Sequence, residues 1–214
     1  FPTRRSSDLA LTLLGPLGCG IQTGSGTVLN RLKPVVGESL VVFGCGAVGL
    51  SAIMAAKLTG CSQIIAVDIH ASRLALAGEL GATHQINGKE QDAVAVIKQI
   101  TGKGAHYAVE TTGVSAIVLQ AVHAVKPLGT VAIVGFTGDI TLNVQNDLMA
   151  EGKSLVGVIE GDAVPALFIP RLVQLYKQGK FPIDKLIARY PLADINQAFA
   201  DSASGKVIKP VVVM

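Results

Sequence analysis

Residues 39–43, SLVVF, form a short apolar run without polar alternation, the pattern of a strand buried on both faces. Gly44, Gly46 and Gly49 follow, and then residues 50–58, apolar, rich in Ala and free of Gly and Pro, predict a packed helix. A second apolar run at 64–67 predicts another buried strand, closed by Asp68. The rhythm continues with a helix of mixed polarity at 72–80 stopped by Gly81, a short strand at 84–86, and an amphipathic helix at 92–100 carrying Val94, Ile97 and Ile100. A strand at 107–109, a helix at 115–125 and a strand at 130–134 closed by Gly135 come next. Strand-like runs recur at 140–144 and 154–159. Residues 165–178 predict a helix with Pro165 and Pro170 in its first turns and Gly179 at its end. An extended run at 187–191, a helix at 192–201 and a last strand at 207–213 finish the chain. Upstream, 20–32 predicts a helix that ends at Lys33-Pro34, because proline disfavours helical geometry in the residue before it.

Short buried strands alternating with helices over short connections predict an α/β protein with a doubly wound parallel sheet, the Rossmann arrangement. Ligands on such sheets bind at the carboxyl ends of the strands, where Gly44, Asp68, Thr112 and Gly135 all fall. The composition agrees: half of the 214 residues are hydrophobic and 15% charged, as a sheet covered on both faces requires. No apolar run reaches the ~18 residues of a membrane span, so no membrane partner is expected. The net charge of +3, without a basic cluster, gives no reason to expect nucleic acid. Three cysteines, Cys19, Cys45 and Cys61, make neither a CxxC pair nor an even framework, which suggests a reducing, cytoplasmic setting.

The first nine residues, FPTRRSSDL, are polar and basic ahead of an apolar chain and lack the order of features of a signal peptide. They resemble a translated sequencing adapter and are set aside as non-native.

The chemistry sits in the glycine run. In GxGxxG between strand and helix, Gly44 permits the tight turn, Gly46 lets a pyrophosphate approach the backbone, and Gly49 lets the helix pack on the strand. The free N–H groups of the helix's first turn and the positive end of its dipole would hold the phosphates. Asp68, nineteen residues beyond Gly49, would accept hydrogen bonds from the adenosine ribose and repel a 2′-phosphate, which favours NAD over NADP. Cys45 reads as a small buried apolar residue. By spacing alone Cys19, at the start of the 20–32 helix, reads the same way.

The motifs GCGIQTG at 18–24, VFGCGAVGL at 42–50, AVDIHASRLALAGELGATH at 66–84 and GVIEGDAVPALFIPRLVQLYKQGKFPIDKLI at 157–187 resemble the zinc-dependent medium-chain alcohol dehydrogenases, and among them the aryl-alcohol (benzyl-alcohol) group. The resemblance implies a C-terminal piece of such an enzyme. Residues 20–159 would be the dinucleotide-binding domain, and 10–19 and 160–214 remnants of a GroES-like catalytic domain. It assigns Cys19 as a catalytic zinc ligand, the only one present here, since a zinc site needs three protein ligands and an open position. It places Thr23 and Val48 beside the nicotinamide, Arg73 near the adenosine ribose, and the backbones of Val134, Val158 and Glu160 on the carboxamide. Lys209 would reach the pyrophosphate; without the resemblance, Arg73 and Lys209 read as solvated surface cations. The implied activity moves a hydride between a primary, aryl alcohol or its aldehyde and NAD, with zinc polarising the alcohol oxygen. The full-length protein would be a homo-oligomer, and this chain alone would bind NAD without catalysing the reaction. Two other readings stay open: a zinc-free NAD(P)H quinone-type reductase of the same superfamily, and a dinucleotide-binding module with no catalysis.

Overall fold

The computed structural model describes residues 11–214; the FPTRRSSDL stretch lies outside the described residues. Its elements in chain order are α1 (Leu11–Leu14), α2 (Gly20–Gly26), β1 (Ser39–Phe43), α3 (Ala47–Thr59), β2 (Gln63–Asp68), α4 (Ala71–Leu80), β3 (His84–Asn87) and α5 (Ala93–Thr101). They continue with β4 (Ala105–Glu110), α6 (Ser115–Ala124), β5 (Val125–Ile133), β6 (Ser154–Gly157), α7 (Pro165–Lys177), β7 (Ile187–Pro191), α8 (Ile195–Ala203) and β8 (Lys209–Val213).

Six strands form one parallel sheet in the order β3-β2-β1-β4-β5-β6, and β7 pairs with β8 in a separate parallel pair. The strand order reverses between β1 and β4, so a crevice opens above their carboxyl ends. All five residues of β1 are buried, as its unbroken apolar run requires. Alternate residues serve the two faces. Leu40, Val42, Ala66 and Val109 pack with α3, α4 and α2, whereas Val41, Phe43, Ile65 and Ala108 pack with Ile97 of α5 and Val122 of α6. The first of these cores also contains Leu13, Leu17, Phe168, Leu172 and Phe181, so residues on both sides of the expected boundaries at 20 and 160 share it.

Several elements differ from expectation, each for a local reason. Residues 140–144 are not a strand. Asn143 accepts from the Asn146 amide (3.0 Å), its own amide donates to Asp147 (2.8 Å), and a π-helical turn, Val144–Leu148, follows. The apolar content of that stretch serves as plugs, with Leu142 and Leu148 packing under the sheet. The helix from Gly20 widens to π-helical geometry at Thr27–Leu32 and ends on Lys33 in the left-handed region (φ 49°). β5 begins at Val125 and carries an irregularity in which Leu128 takes φ 64°, because the pairing jumps from Ala105↔Val125 to Tyr107↔Thr130. β6 stops at Gly157, and α8 starts only after a 3-10 turn, Leu192–Asp194.

The C-terminal unit is knotted by one carboxylate. Asp201 accepts from Tyr190 Oη (2.7 Å), Gln197 Nε2 (2.7 Å) and Lys206 Nζ (3.0 Å), tying β7, α8 and the turn into β8 together. These bonds, the tyrosine's first, hold the Asp201 carboxyl below its ordinary pKa.

Across the other end of the sheet, the Ser39 amide in β1 donates to Nδ1 of His106 in β4 (3.2 Å), the Ser39 hydroxyl lies 2.8 Å from the same nitrogen, and the His106 amide donates to Ser39 Oγ (3.2 Å). Burial, and then Lys126, lower the His106 pKa from 6.5. Protonation of Nδ1 would remove the bond it accepts from the Ser39 amide. A base whose folded pKa is depressed contributes stability that is fully present above its unfolded value, about 6.5, and is lost as pH falls through the folded value. Urea unfolding at pH 7 and pH 5 should therefore show a loss of stability on acidification that is smaller in His106→Asn, whose side-chain oxygen keeps an acceptor without a titrating proton.

Candidate cofactor site

The site is built around the turn from β1 into α3. Gly44 takes φ 91°, a conformation that L side chains rarely adopt, and donates its amide to Val67 O of β2 (2.8 Å). A Cβ at Gly49 would lie 1.8 Å from Gly44 O, so only glycine lets the first turn of α3 sit against the end of the strand. Gly46 differs. It caps α3 with extended backbone, and a Cβ there would meet nothing within 4 Å, because the space beside it is open.

Asp68 braces this turn. Its Oδ2 accepts from the Cys45 amide at 2.6 Å, and its Oδ1 accepts from the amides of Ile69 (2.7 Å) and His70 (2.8 Å). The carboxylate at the end of β2 is thus held beside the glycine turn by three backbone donors, with little capacity left for a further partner. The Cys45 thiol is fully buried, and burial, then Asp68, push its pKa far above the ordinary cysteine value.

The opposite wall is the segment after β4. Glu110 is fully buried, and its carboxylate accepts from the amides of Thr112 (2.6 Å) and Gly113 (3.2 Å) and from the Thr112 hydroxyl. Thr111 Oγ1 reaches across to the carbonyls of Phe43 (2.9 Å) and Gly44 (3.1 Å), joining this wall to the glycine turn.

Between the walls lies a cavity of about 680 Å³, within the range of small-molecule and cofactor sites. Its lining brings together Gly44, Gly46 and Val48 of the glycine turn, Asp68 and Arg73 after β2, and Cys19 and Lys209 from the two ends of the chain. Cys19 is exposed, which overturns the reading from spacing alone that made it a small buried residue. It joins the 3-10 turn Gly15–Gly18 to α2, and its carbonyl accepts from the Thr23 amide and hydroxyl, both at 2.9 Å. Arg73 and Lys209 are half-buried walls of the cavity rather than free surface cations, and Arg73 Nε is buried with no hydrogen-bond partner among the described residues.

Thr23, Gly49, Val134, Val158 and Glu160 are not among the residues lining this cavity. Gly49 acts beneath its floor. Val134 and Val158 follow β5 and β6, and their amides donate to Glu110 O (2.9 Å) and Ile133 O (3.0 Å), so each can offer a ligand only its carbonyl. Glu160 Oε2 accepts from Gln22 Nε2 (2.9 Å) and Thr23 Oγ1 (3.3 Å), forming a second polar cluster one helical turn beyond Cys19. Sequence reasoning missed Glu110 and Thr111, whose spacing carries no signature, and missed Gln22, whose only sequence-level signal is a polar residue inside a buried helix.

Among the described residues no group of three or more His, Cys, Asp or Glu side chains could hold a metal ion. Cys19 stands without companions, so these residues do not fit a zinc centre. A dinucleotide fits better: open space beside Gly46 at a helix N-terminus, a braced carboxylate at the end of β2, and an orphaned Arg73 donor beside it.

Comparison with known proteins adds to this. The family described as zinc-binding dehydrogenase matches residues 47–178. A geraniol dehydrogenase of Castellaniella defragrans is 44% identical over 96% of this chain and 56% of its own, and alcohol dehydrogenase 1 of Pisum sativum is 34% identical over 97% and 56%. The crystal structure of benzyl alcohol dehydrogenase from Acinetobacter calcoaceticus superposes with a TM-score of 0.94 at 51% identity, covering 97% of this chain and 58% of that one. The chain thus spans little more than half the length of the relatives it matches.

The glycine geometry separates two roles. Gly49→Ala should cost about 2–3 kcal/mol of stability in urea unfolding, since a methyl cannot share space with Gly44 O. Gly46→Ala should stay within about 0.5 kcal/mol of the parent.

Proposed function

The chain belongs to the zinc-binding dehydrogenase family, and from that premise we propose that its cavity binds NAD as the cofactor half of an oxidoreductase acting on alcohols. The observation that carries this reading is the open space at Gly46, placed at the first turn of α3 between the braced Asp68 and the Thr111–Thr112 wall. The amides of residues 46–48 would take the diphosphate, aided by the positive end of the α3 dipole, with Lys209 as a point charge from β8. Asp68 would take the adenosine ribose with its remaining lone pair, and Arg73 would lie beside the same sugar. The carbonyls of Val134 and Val158 and the amide of Glu160 would hold the carboxamide, while Thr23 and Val48 orient the ring. When bound, the nicotinamide supplies the hydride acceptor or donor; the chain's residues orient it and exclude water.

The substrate side follows from the relatives. A geraniol dehydrogenase and a benzyl alcohol dehydrogenase, each with 44% or more identity, support a primary alcohol with a bulky apolar or aryl group, and its aldehyde, as substrates of the whole protein. We assign zinc ligands other than Cys19, and the proton pathway, to sequence outside this chain, and oligomerisation to the whole enzyme. Exposed Phe136, Ile159 and Leu167 agree with apolar surface awaiting a partner segment. We read the chain by itself, which spans little more than half the length of its relatives, as a dinucleotide-binding module without catalysis.

Titrating NADH into the 214-residue chain should give a saturable fluorescence increase in the micromolar to millimolar range. NADPH should bind about tenfold more weakly, from charge repulsion at Asp68. Gly46→Ala should weaken NADH about tenfold while leaving folding intact; equal affinity in parent and variant would remove the glycine turn from the binding site.

A further inference from the structure

Just beyond β6 the backbone turns through three successive left-handed residues, Glu160 (φ 48°), Gly161 (φ 69°) and Asp162 (φ 47°). For a side-chain-bearing residue that conformation is strained and persists only where the surroundings over-determine it. Here the constraint is visible. Gly161 is wedged against α2, where a Cβ on Gly26 would lie 2.4 Å from Gly161 O, and Asn30 Nδ2 donates to that same carbonyl at 3.0 Å. The turn carries the Glu160 side chain back across α2, onto Gln22 Nε2 (2.9 Å) and Thr23 Oγ1 (3.3 Å).

Both of those donors are fixed. Gln22 is 2% exposed and its Nε2 also donates to Gly18 O (3.0 Å), while the Thr23 hydroxyl is shared with Cys19 O (2.9 Å). Both are also neutral, and among the described residues no ion pair compensates Glu160, whereas Asp162, two residues on, faces Arg31 at 3.6 Å. A carboxylate without an ion-pair partner among the described residues is therefore anchored on the first turn of α2, where the Thr23 hydroxyl that donates to it also donates to the carbonyl of Cys19, a residue lining the cavity.

We propose that Glu160 sets the redox-state preference of the site, favouring the oxidised cofactor over the reduced one. This rests on the reading of the cavity as an NAD site. With the adenosine ribose at Asp68 and Arg73 and the diphosphate at Gly46, the ring would fall beside Cys19 and Val48, the lining residues next to the Gln22–Thr23–Glu160 cluster. The nicotinamide ring of NAD⁺ carries a positive charge that is absent in NADH. A fixed carboxylate nearby attracts the first and is indifferent to the second. At separations of several ångströms and partial exposure to solvent, this bias amounts to roughly three- to tenfold in relative affinity.

Glu160→Gln keeps the length of the side chain and an acceptor oxygen for Gln22 and Thr23 while removing the charge. Calorimetric titration of the 214-residue chain with NAD⁺, and fluorescence titration with NADH, should show NAD⁺ binding weakened three- to tenfold and NADH changed by less than twofold. Asp162→Asn, on the same turn but facing Arg31, should move neither. An equal loss for both cofactors, no change for either, or the same bias in Asp162→Asn would overturn the role of the Glu160 charge while leaving the NAD site standing. Failure of the parent chain to bind either cofactor would instead overturn the NAD reading and this inference with it.

Discussion

The contact between Gly49 and the carbonyl of Gly44 is the constraint on which the rest of the molecule depends. With no side chain at 49, the first turn of α3 rests directly on the end of β1, and the helix's unpaired amides face the crevice where the strand order reverses. The turn is locked from both neighbouring strands. Asp68 at the end of β2 takes the Cys45 amide, and Thr111 after β4 takes the carbonyls of Phe43 and Gly44. The polar groups at the switch point are thus preorganised by backbone contacts before any ligand arrives, and Gly46 is left facing open space.

The flanking segments are held to this centre by the same device of backbone approaching backbone. A Cβ on Gly24 of α2 would lie 1.9 Å from Val48 O of α3, and one on Gly26 would lie 2.4 Å from Gly161 O. Consequently Glu160 meets Thr23, 137 positions earlier in the chain, on the helix that packs against the glycine turn. At the far end of the cavity the turn at Gly205 packs over Arg73, and the Asp201 knot fixes the approach to β8, which delivers Lys209 to the rim. The cavity is therefore assembled from both ends of the chain, although its floor is one continuous stretch.

What was legible in the sequence was what is encoded locally. Buried strands declared themselves as unbroken apolar runs, and GxGxxG with Asp68 marked the turn and its acid by spacing that the fold uses directly. Residues 140–144 misled because β-branched and apolar residues there plug the underside of the sheet, while Asn143 and Asp147 divert the backbone into a helical turn. Spacing also said nothing of the exposure of Cys19, which sits at the junction of a 3-10 turn and α2. Nor could it show that Asp68 already serves three amides, or that Glu160 meets Gln22 across 138 positions of sequence. Such contacts are products of the sheet order and of glycine-mediated helix approach, which no window of a dozen residues contains.

Amide chemical-shift mapping of the ¹⁵N-labelled 22.0 kDa chain during titration with ADP, a diphosphate without the nicotinamide, tests the central claim most directly. The account predicts that the largest shifts fall on the amides of Gly46, Ala47 and Val48, with smaller ones on Cys45, Ile69 and His70 through the Asp68 brace. Shifts concentrated elsewhere, for example in the groove between Lys33 and Arg171, or no shifts at millimolar ADP, would contradict it.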